Sequence, residues 1–403
     1  MTRTTAIVFA AITSVAAIAN AQEGANNRTI TGSVVQPTPI EPKDDFLAKV
    51  KLPAGFKITK FADGLMNARM LAVNPKDGSV YLSRREQGDL LLIKDTDGDG
   101  KADSTTTVAE RPKLHGIAIH GDKLFFTTVN EIYVAQIKGD GTLDDIRRII
   151  HDLPDGGQHQ NRTIAVGPDD KLYISVGSTC NTCEESSPES ATMLQASLDG
   201  KTRTIFASGL RNTIGFGWHP KTQQLWGADH GIDWLGEEEQ KEEFNKIEKG
   251  KRYGWPFIFA DNKVVPERQP SDGTSIDTWK KLSTTPTLLY TSHAAPMEMA
   301  FYTGTQFPAE YKGDAFIAMR GSWNRKPPAG YEVVRVRFDE AGNATKFEPF
   351  ATGWLEGEGE KWSQYGRLAG CAMAKDGSLL ITDDKNGIIY RIAYDAKPAT
   401  ASR

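Results

Sequence analysis

The sequence predicts an all-β fold, a six-bladed β-propeller. A pattern of strand, tight turn and second strand recurs six times along the 403 residues. Its spacing, roughly 45 to 80 residues, is that of a propeller blade with variable loops. Each copy sets short or alternating apolar runs on either side of a hairpin turn. A β-sandwich would supply strands without the long period.

The first copy runs from Met70 to Ser83 around a Pro/Asp/Gly turn, and Gly116 to Thr127 repeats it. Thr163 to Ser175 and Ile214 to Gly227 are the third and fourth. Met299 to Tyr302, joined after an insertion by Ala315 to Ala318, is the fifth. Leu368 to Thr382 is the sixth, turning at Lys375-Asp376-Gly377-Ser378. Residues 45–396 are therefore expected to form one propeller domain, with a flexible tail at 397–403. Residues 22–44 are rich in Asn, Thr, Gln and Pro without periodicity and read as a flexible lead-in. Residues 1–21 read as a signal peptide: Arg3, an apolar run from Ala6 to Ala19, and a small-x-small site at Ala19-Asn20-Ala21. The run is too short and Ala-rich to span a bilayer well, and no later segment suits a span. The expected location is periplasmic or secreted.

A formal net charge of -4 argues against nucleic-acid or anionic-membrane partners. Cys180 and Cys183 form a close pair, with Glu184 where haem attachment needs His, and no further zinc ligands lie nearby. In an exported chain such a pair is expected to be a disulfide. Cys371 reads as a small core residue.

A propeller of this size leaves a central channel, and the loops at one mouth are the natural site. Residues just before an innermost strand point into that mouth. His159 stands there, in Gln158-His159-Gln160, and an imidazole can accept a hydroxyl proton near working pH. Arg211-Asn212 take the same place one copy later, and a fixed guanidinium there can stabilise an oxygen gaining negative charge. Asp229-His230-Gly231-Ile232 ends the second strand of that copy. Its turn either presents backbone carbonyls to a hard cation or is simply structural. Asp95, Asp97, Asp99 and Asp103 form either a calcium-tightened hairpin or a plain Asp/Gly turn. Glu237 to Glu243 is an acidic run that reads as a solvated loop or short helix, with docking of a basic electron acceptor as the alternative.

This order of residues, with Tyr253-Gly254-Trp255-Pro256 closing a turn, resembles the soluble quinoprotein sugar dehydrogenases, the glucose/sorbosone dehydrogenase family. The resemblance extends from about Leu52 to Tyr394. It implies pyrroloquinoline quinone (PQQ) and Ca2+ as cofactors. It also implies an exported oxidoreductase acting on the anomeric carbon or aldehyde of an aldose- or sorbosone-type sugar, with hydride to PQQ and electrons to a periplasmic cytochrome or other acceptor. His159 matches the catalytic base; Arg211, Asn212, Arg320 and Arg367 match cofactor-binding positions. Main-chain oxygens of Gly231 and Ile232 match the calcium that binds the quinone, and Glu243 with Asn245 match a bracing pair. His293 and His115 are candidates for the substrate side. The sequence departs from better-known members at Gln158 (Asp there), Ile232 (Pro) and Arg320 (Lys). No Gly-x-Gly-x-x-Gly opens a helix after a strand, which fits an enzyme that does not use NAD. A calcium-dependent lactonase-like hydrolase and a non-catalytic sugar- or partner-binding propeller are the alternatives.

Overall fold

A computed structural model describes residues 32–43 and 45–395. The predicted signal peptide at 1–21 and tail at 397–403 lie outside the described residues. Among those residues the regular secondary structure is almost entirely strand, and each sequence copy supplies the first two strands of a four-stranded sheet. The first sheet is Ala68–Val73, Val80–Arg84, Asp89–Lys94 and Ser104–Glu110; the second is Ile117–His120, Lys123–Thr127, Ile132–Ile137 and Leu143–Ile150. The third is Thr163–Val166, Lys171–Val176, Thr192–Ser197 and Arg203–Ser208. The fourth is Thr213–Trp218, Leu225–Asp229, Glu242–Ile247 and Leu288–Tyr290. The fifth is Pro296–Phe301, Ala315–Met319, Glu332–Phe338 and Ala344–Ala351.

The sixth sheet takes Leu368–Met373, Leu379–Asp383 and Ile388–Tyr394 from the end of the chain. Its fourth strand, Phe56–Ala62, comes from the beginning, with Phe56 opposite Tyr394. The two ends of the domain are thus fastened by a strand ladder and by the rings of Phe56, Phe307, Phe350 and Tyr394, packed edge to face.

The first strands of all six sheets line one cavity of about 390 Å³. Neighbouring first strands come so close that some positions admit no side chain. A Cβ on Gly215 would lie 2.1 Å from the Met297 carbonyl oxygen, and one on Gly370 would lie 2.4 Å from that of Arg69. Gly215→Ala is therefore expected to cost roughly 2–4 kcal/mol through forced strand separation. Gly217→Ala, on the same strand, meets nothing nearer than 3.7 Å and should be close to neutral. Thermal unfolding of the two variants checks this, and equal melting points would refute the wedge argument.

Two expectations are corrected here. Of the lead-in expected at 22–44, residues 22–31 and 44 lie outside the described residues, and residues 32–43 are not loose. Thr38–Pro39 pairs in parallel with Ser363-Gln364, Val35 N–H donates to the Trp323 carbonyl at 3.0 Å, and Ile40 N–H donates to that of Gln364 at 2.8 Å. An edge strap held by backbone bonds needs no apolar periodicity, so its composition looked disordered. The acidic run is not a solvated loop throughout: Glu242 and Glu243 begin the third strand of the fourth sheet and are buried. No described helix is long and apolar enough to cross a membrane.

Candidate active site

In each sheet the start of the first strand pairs with the end of the second, as Thr213 with Asp229 and Leu368 with Asp383. One mouth of the cavity therefore collects the residues before the first strands and after the second strands. Two polar clusters form there.

The first cluster centres on Asp384. Arg320 donates from Nε at 2.9 Å and from Nη2 at 3.2 Å to its two oxygens, and Arg69 Nη1 donates to one of them. Arg367 holds the same loop, donating to the carbonyls of Arg320 at 3.3 Å and Gly321 at 2.6 Å. Two guanidinia thus share one carboxylate, with the third close by on backbone carbonyls. Burial pushes the Asp384 carboxyl up, but Arg320 and Arg69 outweigh it and hold the group below the usual range. Burial, together with repulsion from Arg320, pulls Arg367 down to about 10.

The second cluster holds His159 and Arg211. His159 Nδ1 lies 3.0 Å from the Ser178 carbonyl and 2.8 Å from its hydroxyl, and that hydroxyl itself donates to the Cys180 carbonyl. Both partners of Nδ1 are therefore acceptors, which places the proton on Nδ1 and leaves a lone pair on Nε2. Burial, then the charges of Arg211 and His230, hold the imidazole well below its ordinary pKa. Gln158, where an acid would orient the ring, instead donates to Asp233 at 3.3 Å. The backbone of Ser178 takes over the orienting role.

Arg211 is 3 % exposed and is held by the Asn181 carbonyl at 3.0 Å, the Asn181 side chain at 2.8 Å and Asp233 at 3.3 Å. Its backbone N–H and that of Asn212 donate to Asp229. Asn212 also reaches His230 at 3.3 Å, whose other nitrogen donates to the Pro296 carbonyl. Asn181 sits inside the Cys180–Cys183 disulfide, so that short bridge carries the residue that fixes Arg211. Unreduced, unfolded protein is expected to alkylate at Cys371 alone, and reduced protein at all three cysteines. Mass spectrometry reads the difference, and alkylation of Cys180 and Cys183 without reductant would exclude the bridge.

The turn after Asp229 is held from beneath. Glu242 accepts from Gly231 N–H and Ala295 N–H, each at 2.8 Å, and Gln240 accepts from Ile232 N–H at 3.2 Å. Burial pushes Glu242 up to about 8. Glu243, also pushed by burial to about 8, accepts from Ala260 N–H and from Asn245, so it braces the neighbouring loop and not Gly231 itself. The carbonyl oxygens of Gly231 and Ile232 accept no hydrogen bond from the described residues.

The two histidines expected on the substrate side are buried in other networks. His115 is 1 % exposed, with Nδ1 on the Arg162 carbonyl and Nε2 accepting from Arg69. His293 turns to the Gly236 carbonyl at 3.0 Å. The Asp95 turn adjoins Lys375 and Asp376, at the opposite end of the sheets. Asp95, Asp97 and Asp99 bring oxygens within 4.8 Å of one another, but Asp103 is taken up by Thr96. Sequence reasoning missed Arg69, Asp233, Asp384 and Glu242. Asp384 was discoverable, because it follows the second strand of the sixth copy as His230 follows that of the fourth.

Residues 50–395 match the family described as TrAA12-like. An uncharacterized protein of Borreliella burgdorferi is 28% identical over 87% of this chain and 93% of its own length. A pyrroloquinoline quinone-dependent pyranose dehydrogenase of Coprinopsis cinerea is 31% identical over 36% of this chain, a match that spans only 22% of that protein. Among solved structures, the holo PQQ domain of the Coprinopsis cinerea pyranose dehydrogenase superposes with a TM-score of 0.73 at 19% identity, covering 90% of this chain and 100% of that one. The calcium structure of a Trichoderma reesei carbohydrate-active enzyme of family AA12 gives 0.71 at 19% identity, covering 90% and 99%. The shared fold is a β-propeller.

Proposed function

The chain belongs to the TrAA12-like family, and from that premise we propose that it is an exported, six-bladed quinoprotein that oxidises the anomeric carbon or aldehyde of a sugar. Six four-stranded sheets around one cavity support the blade number. The observation that carries the chemistry is an imidazole oriented through Nδ1 by Ser178 and a buried guanidinium, His159 and Arg211, beside a cluster with surplus positive charge.

The donor set suits the implied cofactor. Arg69 and Arg320 share one carboxylate and Arg367 beside them is held only by backbone carbonyls, so the mouth has charge to spare for a ligand with several carboxylates. The carbonyls of Gly231 and Ile232 suit a hard cation such as Ca2+. When bound, PQQ with its calcium supplies the acceptor for a hydride. The chain itself supplies the rest. His159 Nε2 takes the proton of the sugar hydroxyl, and Nδ1–H on Ser178 keeps that tautomer in place. Arg211, unable to turn away from Asn181 and Asp233, offers a fixed positive charge to an oxygen becoming negative. Electrons then pass to a cytochrome or other acceptor outside the cytoplasm.

Reconstitution tests this reading. Purified protein mixed with PQQ and Ca2+ is expected to retain quinone absorbance through gel filtration and to reduce a dye when given aldoses or sorbosone. Loss of all quinone on the column would overturn the proposal in favour of a binding propeller. Hydrolysis of a lactone without quinone would point to the hydrolase instead.

A further inference from the structure

Trp234 and Trp323 are 36 % and 37 % exposed, and no other aromatic side chain among the described residues is as open. Their rings lie 5.1 Å apart at 79°, forming a partly exposed apolar corner. The corner adjoins the site through hydrogen bonds. Trp234 follows Asp233, which accepts from Arg211 and from Gln158, the neighbour of His159. Trp323 precedes Asn324, whose amide donates to the other Asp233 oxygen at 2.9 Å.

The corner is built, not incidental. Trp234 sits at φ +69°, a left-handed backbone that disfavours bulky side chains, so the chain holds an indole where a glycine would be easiest. The Trp323 carbonyl accepts from Val35 of the N-terminal strap, and a Cβ on Gly32 would lie 3.6 Å from the Trp234 ring. The strap thus fixes the loop that carries one indole and passes against the other.

Two perpendicular indole faces with an amide-rich rim match one ligand chemistry well: the CH-bearing face of a pyranose, with hydroxyls reaching Gln158 and Asn324. We propose that the Trp234–Trp323 corner is a subsite for a second sugar ring, so the preferred substrates are oligosaccharides whose terminal reducing residue reaches His159. This rests on the sugar-oxidising reading above and narrows its substrate class.

The test reads binding separately from turnover. Tryptophan fluorescence of the mature chain is titrated with glucose, maltotriose and cellotriose. At least one trisaccharide is expected to saturate at a concentration ten-fold or more below glucose. Trp234→Ala and Trp323→Ala should each raise that midpoint at least ten-fold, while Trp323→Phe, which keeps an aromatic face, should restore most of it. Circular dichroism melting confirms that the variants are folded. In the loaded protein, the ratio of kcat/KM for the trisaccharide to that for glucose should fall at least ten-fold in Trp323→Ala. Equal midpoints for glucose and both trisaccharides, or midpoints unmoved by the alanine variants, would overturn the subsite. Tryptophan-dependent trisaccharide binding without quinone-dependent turnover would keep the subsite and remove the dehydrogenase chemistry. Turnover of glucose without size preference would do the reverse.

Discussion

His159→Ala is expected to lower turnover by about a hundred- to ten-thousand-fold, the usual contribution of a positioned base. Quinone affinity should change little, because His159 contacts Ser178 and none of the three arginines that surround Asp384. The fold should also survive: the backbone of His159 remains fixed by Arg162, which donates to its carbonyl at 2.8 Å. The pH dependence has a definite sign. A base works only when deprotonated, and burial with the charges of Arg211 and His230 holds this imidazole well below 6.5. The acid limb of kcat/KM should therefore fall below pH 6.5 and disappear in the variant. One quinone titration and one steady-state profile decide the matter. A variant that binds quinone and turns over at the parent rate would place the base elsewhere.

Local sequence revealed the hairpins because turn residues and apolar runs are short-range signals, and all six copies became the first two strands of a sheet. The pairing of Phe56–Ala62 with Ile388–Tyr394 was not legible, since nothing local marks two strands that meet across the whole domain. Within the site, His159 and Arg211, read as lying before first strands, and Arg367, matched through the resemblance, all precede first strands at the same end of their sheets. Reading by position misled at His115 and His293, because position fixes where the backbone lies and not which way the ring turns. The buried acids were hardest. Glu242 sits in a run that looks solvated, and only the fold shows that it accepts from Gly231 and Ala295. Asp384 and Arg69 are a pair distant in sequence, visible only once the sixth and first sheets adjoin.

Asp384→Ala is expected to destabilise the unloaded protein by roughly 3–5 kcal/mol, the cost of leaving buried charge without its counter-ion. The carboxylate is the one partner shared by Arg69 and Arg320, and it is nearly inaccessible to solvent. Without it, two guanidinia repel each other, with Arg367 close by. Because the folded carboxyl is held below its ordinary pKa, this contribution is present at neutral pH and is lost only as pH falls through the acid range. A ligand rich in carboxylates can replace the missing charge, so PQQ should raise the unfolding midpoint of the variant more than that of the parent. Arg367→Ala provides the contrast. Arg367 donates to two backbone carbonyls and carries no ion pair to Asp384, so its loss should cost little stability. Quinone affinity should nonetheless weaken by about ten- to a hundred-fold, the worth of one charge-assisted contact. Denaturant unfolding of both variants, with and without PQQ, separates these effects. If Asp384→Ala unfolds with the parent, the arginines are solvated enough to stand alone, and the surplus charge that the cofactor reading needs is not stored there.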